Sequence, residues 1–248
     1  MMSPRKADSG PDGFKSQGDG RVSRAPGKLR FALALLREAG VLALFGEFIR
    51  RLAGRRTLLL LNLDLDTPPD PARFPPGFAF GPATPEEVRS TLADTSAEPR
   101  HARLLLLMRR YFHESGLTDC YVVRHVASGD VCHIRWLVTR ESATRASPEL
   151  ARRFATLADD EGRAEYTFTA TRFRHQGLAA AAGQAVLGVA FERGVRRMIA
   201  HVDRRNLASL ATAKRQGYRV TAVIVESRFL GYQWQRVRPG RPAPAGRR

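Results

Sequence analysis

"TATRFRHQGLAAAAGQAVLGVAFERG", residues 169–194, leaves a run of strand-forming residues, crosses a short basic turn carrying Gly177, and continues as an alanine-rich apolar stretch that closes at Gly194. Along that stretch Leu178, Ala182, Ala185, Val186 and Val189 recur at helical spacing, which predicts a helix with one face against a sheet. Where a strand hands over directly to a helix, the first helical N–H groups are free and sit at the positive end of the helix dipole, so a phosphate is welcome there. Gly177 removes the Cβ that would block close approach, the alanines after it keep the first turn slim, and Arg174 and His175 add positive charge. The turn has the makeup of a diphosphate seat. The same residues would also serve close helix–sheet packing, and both readings stand at this point. A Gly-x-x-x-x-Gly-Lys-Ser/Thr loop and a Gly-x-Gly-x-x-Gly fingerprint are both absent from the sequence.

Outward from the turn, "RAEYTFTAT" (163–171) and "RRMIAHV" (196–202) read as strands, "NLASLATAKRQG" (206–217) as a helix ended by Gly217, and "YRVTAVIVESRFLGY" (218–232) as the last strand or pair. Upstream, "FAFGPATPEEVRSTLAD" (78–94) reads as a short strand and a helix with Thr84 as N-cap and Pro85 at its first position. A second helix follows in "ARLLLLMRRYFHESG" (102–116), then a hairpin, "CYVVRHVASGDVCHIRWLVTR" (120–140), turning around Ser128 and Gly129. That order gives an α/β fold with a mixed central sheet, partly antiparallel at first and crossing over through helices later. Ahead of it, 1–27 reads as a disordered basic tail, lacking the large apolar side chains that offset ordering entropy. Residues 28–77 read as an extension: an amphipathic helix, a strand over 57–66 and a proline-rich linker. Residues 78–234 are then the domain proper and 235–248 a second basic tail.

The formal charge of +17 suggests nucleic acid or an anionic membrane, but most of it lies at the two ends. Residues 1–56 hold 12 Lys/Arg against 5 Asp/Glu, and 235–248 hold 5 Arg and no acid. Aromatic residues do not interleave with the basic stretches, which disfavours nucleic acid. An anionic membrane surface remains a partner to weigh for 28–56, against docking of that helix on the domain. Cys120 and Cys132 read as buried free thiols of a protein in a reducing cytoplasm, with the inner membrane face as the place to consider if 28–56 lies on lipid. Centring the hairpin on Ser128 and Gly129 sets Leu137 opposite Cys120. No His/Cys cluster has the spacing of a zinc site, so no metal is expected.

"RHQGLA" (174–179) resembles the Arg/Gln-x-x-Gly-x-Gly/Ala signature of the GNAT superfamily of acyl-CoA-dependent N-acyltransferases, and Phe173 supplies the aromatic often found before it. "NLASLATAKRQGY" (206–218) resembles that superfamily's second motif, an Asn opening a helix that ends in Gly and an aromatic. The resemblance covers about 78–232. It implies an acyl-CoA N-acyltransferase-like fold and an N-acetyltransferase using acetyl-CoA on a small-molecule or peptide amine. It further implies that the backbone of Thr167, Phe168 and Thr169 pairs with the pantetheine arm. The diphosphate would be held by Arg174 and by the run His175, Gln176, Gly177, Leu178, Ala179 and Ala180, and Asn206 and Ser209 would face the coenzyme. Many relatives place a proton-donating tyrosine where this chain has Ala213, which leaves that role empty or moved.

Acyl transfer to an amine needs a base, a polarised thioester carbonyl and a proton for the thiolate. Glu165 is the candidate base, because strict alternation would put it on the face of Thr167 and Thr169, with Tyr166 opposite. His133 and Arg135, sharing a face of the second hairpin strand, are candidates for the acceptor, Arg135 as a carboxylate or phosphate partner. Two other readings stay open: a membrane-peripheral enzyme with a longer acyl donor, and a non-catalytic acyl-CoA-binding protein.

Overall fold

Leucines crowd residues 58–63, too continuous for a strand with one wet face, and such a run calls for neighbours on both sides. The computed structural model, which describes residues 53–93, 100–229 and 232–240, supplies them. Strand β1 (Ala53–Asp64) lies between β6 (Arg197–Asp203) and β7 (Arg219–Phe229), antiparallel to both. The sheet has eight strands in the order β2-β3-β4-β5-β6-β1-β7-β8, with β2 Phe78–Pro82, β3 Cys120–His125, β4 Val131–Thr139, β5 Glu161–Thr169 and β8 Tyr232–Pro239. Only β5 and β6 run parallel. This is the mixed α/β sheet that the sequence predicts, with two corrections. A boundary at 77/78 would divide the sheet at β1, because long-range pairing carries that strand into its interior. The basic end is no tail up to Pro239, because β8 pairs with β7 from Tyr232 onward. Expectations for 1–52 and 241–248 lie outside the described residues.

Helices α1 (Pro85–Ala93), α2 (Arg100–Glu114), α3 (Arg140–Thr144) and α4 (Pro148–Phe154) belong to one face of the sheet, α5 (Leu178–Glu192) and α6 (Leu207–Arg215) to the other. Val88, Leu92, Leu106, Phe112, Leu150 and Phe154 pack on Val122, Ile134 and Trp136 in the first layer. Val186, Leu187 and Ala190 pack on Tyr121, Leu137, Met198 and Leu61 in the second. The short pair α3 and α4 is not evident in the sequence; Thr139 caps α3 reciprocally with Ser142, and Pro148 opens α4. Among the described residues no helix is long and apolar enough to cross a membrane.

Cys120 pairs with Trp136, one place from the expected Leu137, because the β3–β4 register shifts between Val123 and Arg124. Both thiols are free and buried, and burial pushes the Cys132 thiol up to about 11.

At the start of α1, Thr84 N–H donates to Glu87 Oε2 at 2.7 Å and Glu87 N–H to Thr84 Oγ1 at 3.1 Å, a closed capping box. Arg124 of β3 reaches the same carboxylate, Nη2 to Oε2 at 2.7 Å, and chiefly this bond lowers the Glu87 pKa to about 2. A carboxylate whose folded pKa is depressed contributes stability above its unfolded value, and that contribution is lost as pH falls through the folded value. Glu87→Gln is therefore expected to flatten the loss of stability between about pH 4.5 and 2, read by urea denaturation across that window. An unchanged acid limb in the variant would show that Arg124 and Thr84 do not act on this group.

Candidate functional site

The parallel ladder of β5 and β6 holds only from Glu161 to Arg163, against Arg197 to Ile199. Beyond Arg163 the strands part, and a cleft of about 840 Å³ opens between them, lined by Ala164 to Thr169 of β5 and Ala200 to Asp203 of β6. A bulge in β5 accompanies the parting. Trp136 opposes Glu165 and Ile134 opposes Phe168, so Arg135 alone faces both Tyr166 and Thr167. Tyr166 takes a φ of 53°, sparsely populated by any residue with a Cβ.

The extra residue overturns the alternation argument. Tyr166 stacks on Phe112, ring centroids 3.9 Å apart, on the face of α1 to α4. Glu165 turns to the same face, paired with Arg163, whose guanidinium lies over Phe154 at 5.2 Å. Thr167 and Thr169 point to the α5 face instead, where Arg135 Nε donates to Thr167 Oγ1 at 3.0 Å and His133 Nδ1 meets Thr169 Oγ1 at 2.8 Å. Glu165 thus shares a face with Tyr166 and not with the two threonines.

The bulge frees carbonyls that a regular ladder would use, and Arg109 of α2 takes them. Its Nε donates to Tyr166 O at 2.7 Å and its Nη2 to Thr167 O, while the guanidinium lies over Phe168 at 5.5 Å. Burial lowers the Arg109 pKa to about 10. The Phe168 side chain joins the core under α2, so it is the backbone of Phe168 that faces the cleft.

At the cleft's other wall the chain passes through a 3₁₀ turn (Thr171–Phe173) into two left-handed residues, His175 at φ 65° and Gly177 at φ 77°. Gly177 N-caps α5, and a Cβ added to it would meet nothing within 4 Å. Its carbonyl accepts from the N–H groups of Ala180 and Ala181. Among the described residues no backbone carbonyl accepts from the N–H groups of Gln176, Gly177, Leu178 or Ala179. Successive free N–H groups at such a turn form an anion-binding concavity. Arg174 Nε donates to Thr169 O at 3.0 Å, tying the turn to the end of β5. Asn206 caps α6, its Oδ1 accepting from Ser209 N–H at 3.1 Å, and both line the cleft.

Of the sequence candidates, Glu165, Thr167, Phe168, Thr169, Arg174, His175, Gly177 to Ala180, Asn206, Ser209 and Arg135 all line this one cleft. Gln176 sits in the turn without lining it. His133 is a correction: it is 1% exposed beneath α5, so it cannot meet an acceptor, and burial together with Arg135 and Arg109 holds its pKa well below the ordinary imidazole value. The sequence reading missed Arg109, His201 and Tyr218 as lining residues. His201, from β6, has a pKa lowered to about 4 by desolvation first and then by Arg163 and Arg153. Tyr218 is buried as a core residue, yet its ring borders the cleft. Arg109 carries no sequence signal beyond being a second cation in an amphipathic helix. Among the described residues no group of three or more His, Cys, Asp or Glu is placed to share a metal ion.

A family model described as an acetyltransferase (GNAT) domain matches residues 63–219. No curated protein matches the chain. Among solved structures, a GCN5-related N-acetyltransferase from Sphaerobacter thermophilus aligns at 16% identity with a TM-score of 0.48, over 79% of this chain and 57% of its own. A GNAT-family acetyltransferase from Colwellia psychrerythraea aligns at 12% identity and 0.47, over 82% and 73%. The GCN5-related glucosamine N-acetyltransferase region of a fungal multi-domain β-N-acetylglucosaminidase aligns at 17% and 0.52, over 78% of this chain and 22% of that protein. The chain thus spans less than two thirds of the Sphaerobacter protein and under a quarter of the fungal one.

Proposed function

Because the chain belongs to the GNAT acetyltransferase family, we propose that it is an acyl-CoA-dependent N-acyltransferase, moving an acyl group, acetyl in the simplest case, from the coenzyme thioester to a primary amine. The observation that carries the reading is the parting of β5 from β6 beyond Arg163, in a cleft that runs to the open Gly177 turn. The free N–H groups at Gly177, Leu178 and Ala179 receive the diphosphate, and the unpaired backbone of Thr167 to Thr169 pairs with the amides of the pantetheine arm. Asn206 and Ser209 contact the coenzyme from α6. The coenzyme supplies the activated acyl group; the protein's part is to hold it, orient it and handle protons.

A backbone N–H at the bulge donates to the carbonyl oxygen as it gains charge. The amine nitrogen bonds to the acyl carbon, the carbon–sulfur bond breaks, the nitrogen loses one proton and the sulfur gains one. Glu165, at the face of α1 to α4, accepts the amine proton directly or through water. Ala213 has no proton to give, and the hydroxyls bordering the same wall of the cleft are those of Ser209, Thr212 and Tyr218.

A panel of amines, amino sugars and peptides scored by acetyl-CoA-dependent release of coenzyme thiol tests the proposal, which predicts release with at least one class. Release with none, in a protein that still binds the coenzyme, would favour a non-catalytic acyl-CoA-binding protein, the reading to which Ala213 points. With an active amine in hand, Glu165→Gln is expected to lower kcat by about a hundredfold or more. An undiminished rate across pH 6 to 9 would mean that the proton leaves by another route.

A further inference from the structure

Arg135 stands on β4 against the bulge, half-buried, and among the described residues no carboxylate is within ion-pair distance of it. Among the described residues its guanidinium makes one hydrogen bond, from Nε to Thr167 Oγ1. Burial lowers its pKa, and the phenol of Tyr218 opposes that shift. The guanidinium tip runs under α5 at Gly183, where an added Cβ would come 2.6 Å from Nη1. Gln216 Nε2 comes nearer still, at 1.9 Å, so two side-chain ends lie against the bare backbone of α5 there. A half-buried cation with no anion beside it is left to the solvent of the cleft, and the planar fork of arginine is suited to a carboxylate brought by a ligand.

The diphosphate is not that anion. Gly183 lies six residues into the chain from Gly177, about 9 Å along a helix rising 1.5 Å per residue. The lining of the cleft that Arg135 shares includes three small side chains, Ala164, Ala200 and Ala213, and Tyr218, which lies near the guanidinium. The Tyr218 phenol lies near enough to Arg135 for each group to shift the pKa of the other, and its O–H can donate a hydrogen bond. Deep in the cleft, beside the bulge where the thioester carbonyl would sit, a guanidinium and a phenol therefore face a space large enough for a short chain.

We propose that Arg135 and Tyr218 receive a carboxylate at the far end of the donor's acyl group, so that the preferred donor is a dicarboxylic acyl thioester, of succinyl or glutaryl type, over an uncharged acyl of the same length. This rests on the reading of the cleft as a coenzyme site. It moves Arg135 from the acceptor to the donor.

Titration calorimetry with succinyl-CoA, butyryl-CoA and free coenzyme A tests it without knowledge of the acceptor. The full chain is expected to bind succinyl-CoA on the order of tenfold more tightly than butyryl-CoA. Arg135→Met brings that ratio to about one, and Tyr218→Phe, which keeps the ring, gives an intermediate ratio and serves if the first variant fails to fold. Equal binding of the two thioesters, or a preference that survives Arg135→Met, would overturn the assignment. So would a third pattern: equal thioesters, with free coenzyme A gaining affinity at high pH through Arg135, which makes the leaving thiolate the anion. No binding of any coenzyme would remove the underlying reading as well.

Discussion

Saturating acetyl-CoA raises the melting temperature of the full chain, and Gly177→Glu abolishes the rise. A ligand at a hundred times its Kd stabilises the folded state by about 2.7 kcal/mol, which in a domain of this size corresponds to roughly 5 to 10 °C. The glutamate would bring its carboxylate to the spot where the free N–H groups meet the diphosphate, replacing attraction by repulsion. Gly177→Ala separates the two effects of the substitution. At φ 77° any residue with a Cβ is strained, by about 1 to 2 kcal/mol, so alanine lowers the melting temperature of the free protein. A Cβ there meets nothing within 4 Å, so the alanine variant keeps its response to the coenzyme while the glutamate variant loses it. A full response in Gly177→Glu would place the diphosphate elsewhere.

Arg109→Met is expected to destabilise the chain by about 2 to 3 kcal/mol, well beyond the effect of losing a surface cation. The methionine fills much of the volume against Phe168 but leaves Tyr166 O and Thr167 O without their donor. Half-buried carbonyls without a donor carry part of the desolvation penalty of a buried group, and here two of them lose their donor at once. Because those carbonyls belong to the bulge, the same variant is expected to weaken acyl-CoA binding, with urea denaturation and calorimetry reading the two losses separately. A loss of stability below about 0.5 kcal/mol would show that the bulge holds its shape without the clamp.

The handover at Gly177 was legible because everything that defines it is local: a glycine at a left-handed position, a slim first turn and an apolar face at helical spacing. The Thr84 cap, the hairpin and the helix opened by Asn206 were legible for the same reason. What escaped depends on pairing between distant segments. The leucines of β1 announce a buried strand, but nothing near them says that β6 and β7 are its neighbours. The bulge escaped because no glycine marks it; Tyr166 takes the positive φ, and with one extra residue the faces assigned by alternation change. His133 shares its face with Arg135 as expected, but burial under α5 is not visible from β4 alone. In β8 the signal thins out: Tyr232 closes the run that reads as the last strand or pair, and from residue 235 on Val237 is the one large apolar side chain among arginines that suggest a solvated tail.

Determining a crystal structure with acetyl-CoA bound addresses the central claim most directly. The diphosphate is predicted against the N–H groups of Gly177, Leu178 and Ala179, with the pantetheine arm lying between β5 and β6 along Thr167 to Thr169. A coenzyme found outside that cleft, or one bound while β5 and β6 close on each other, would contradict the account.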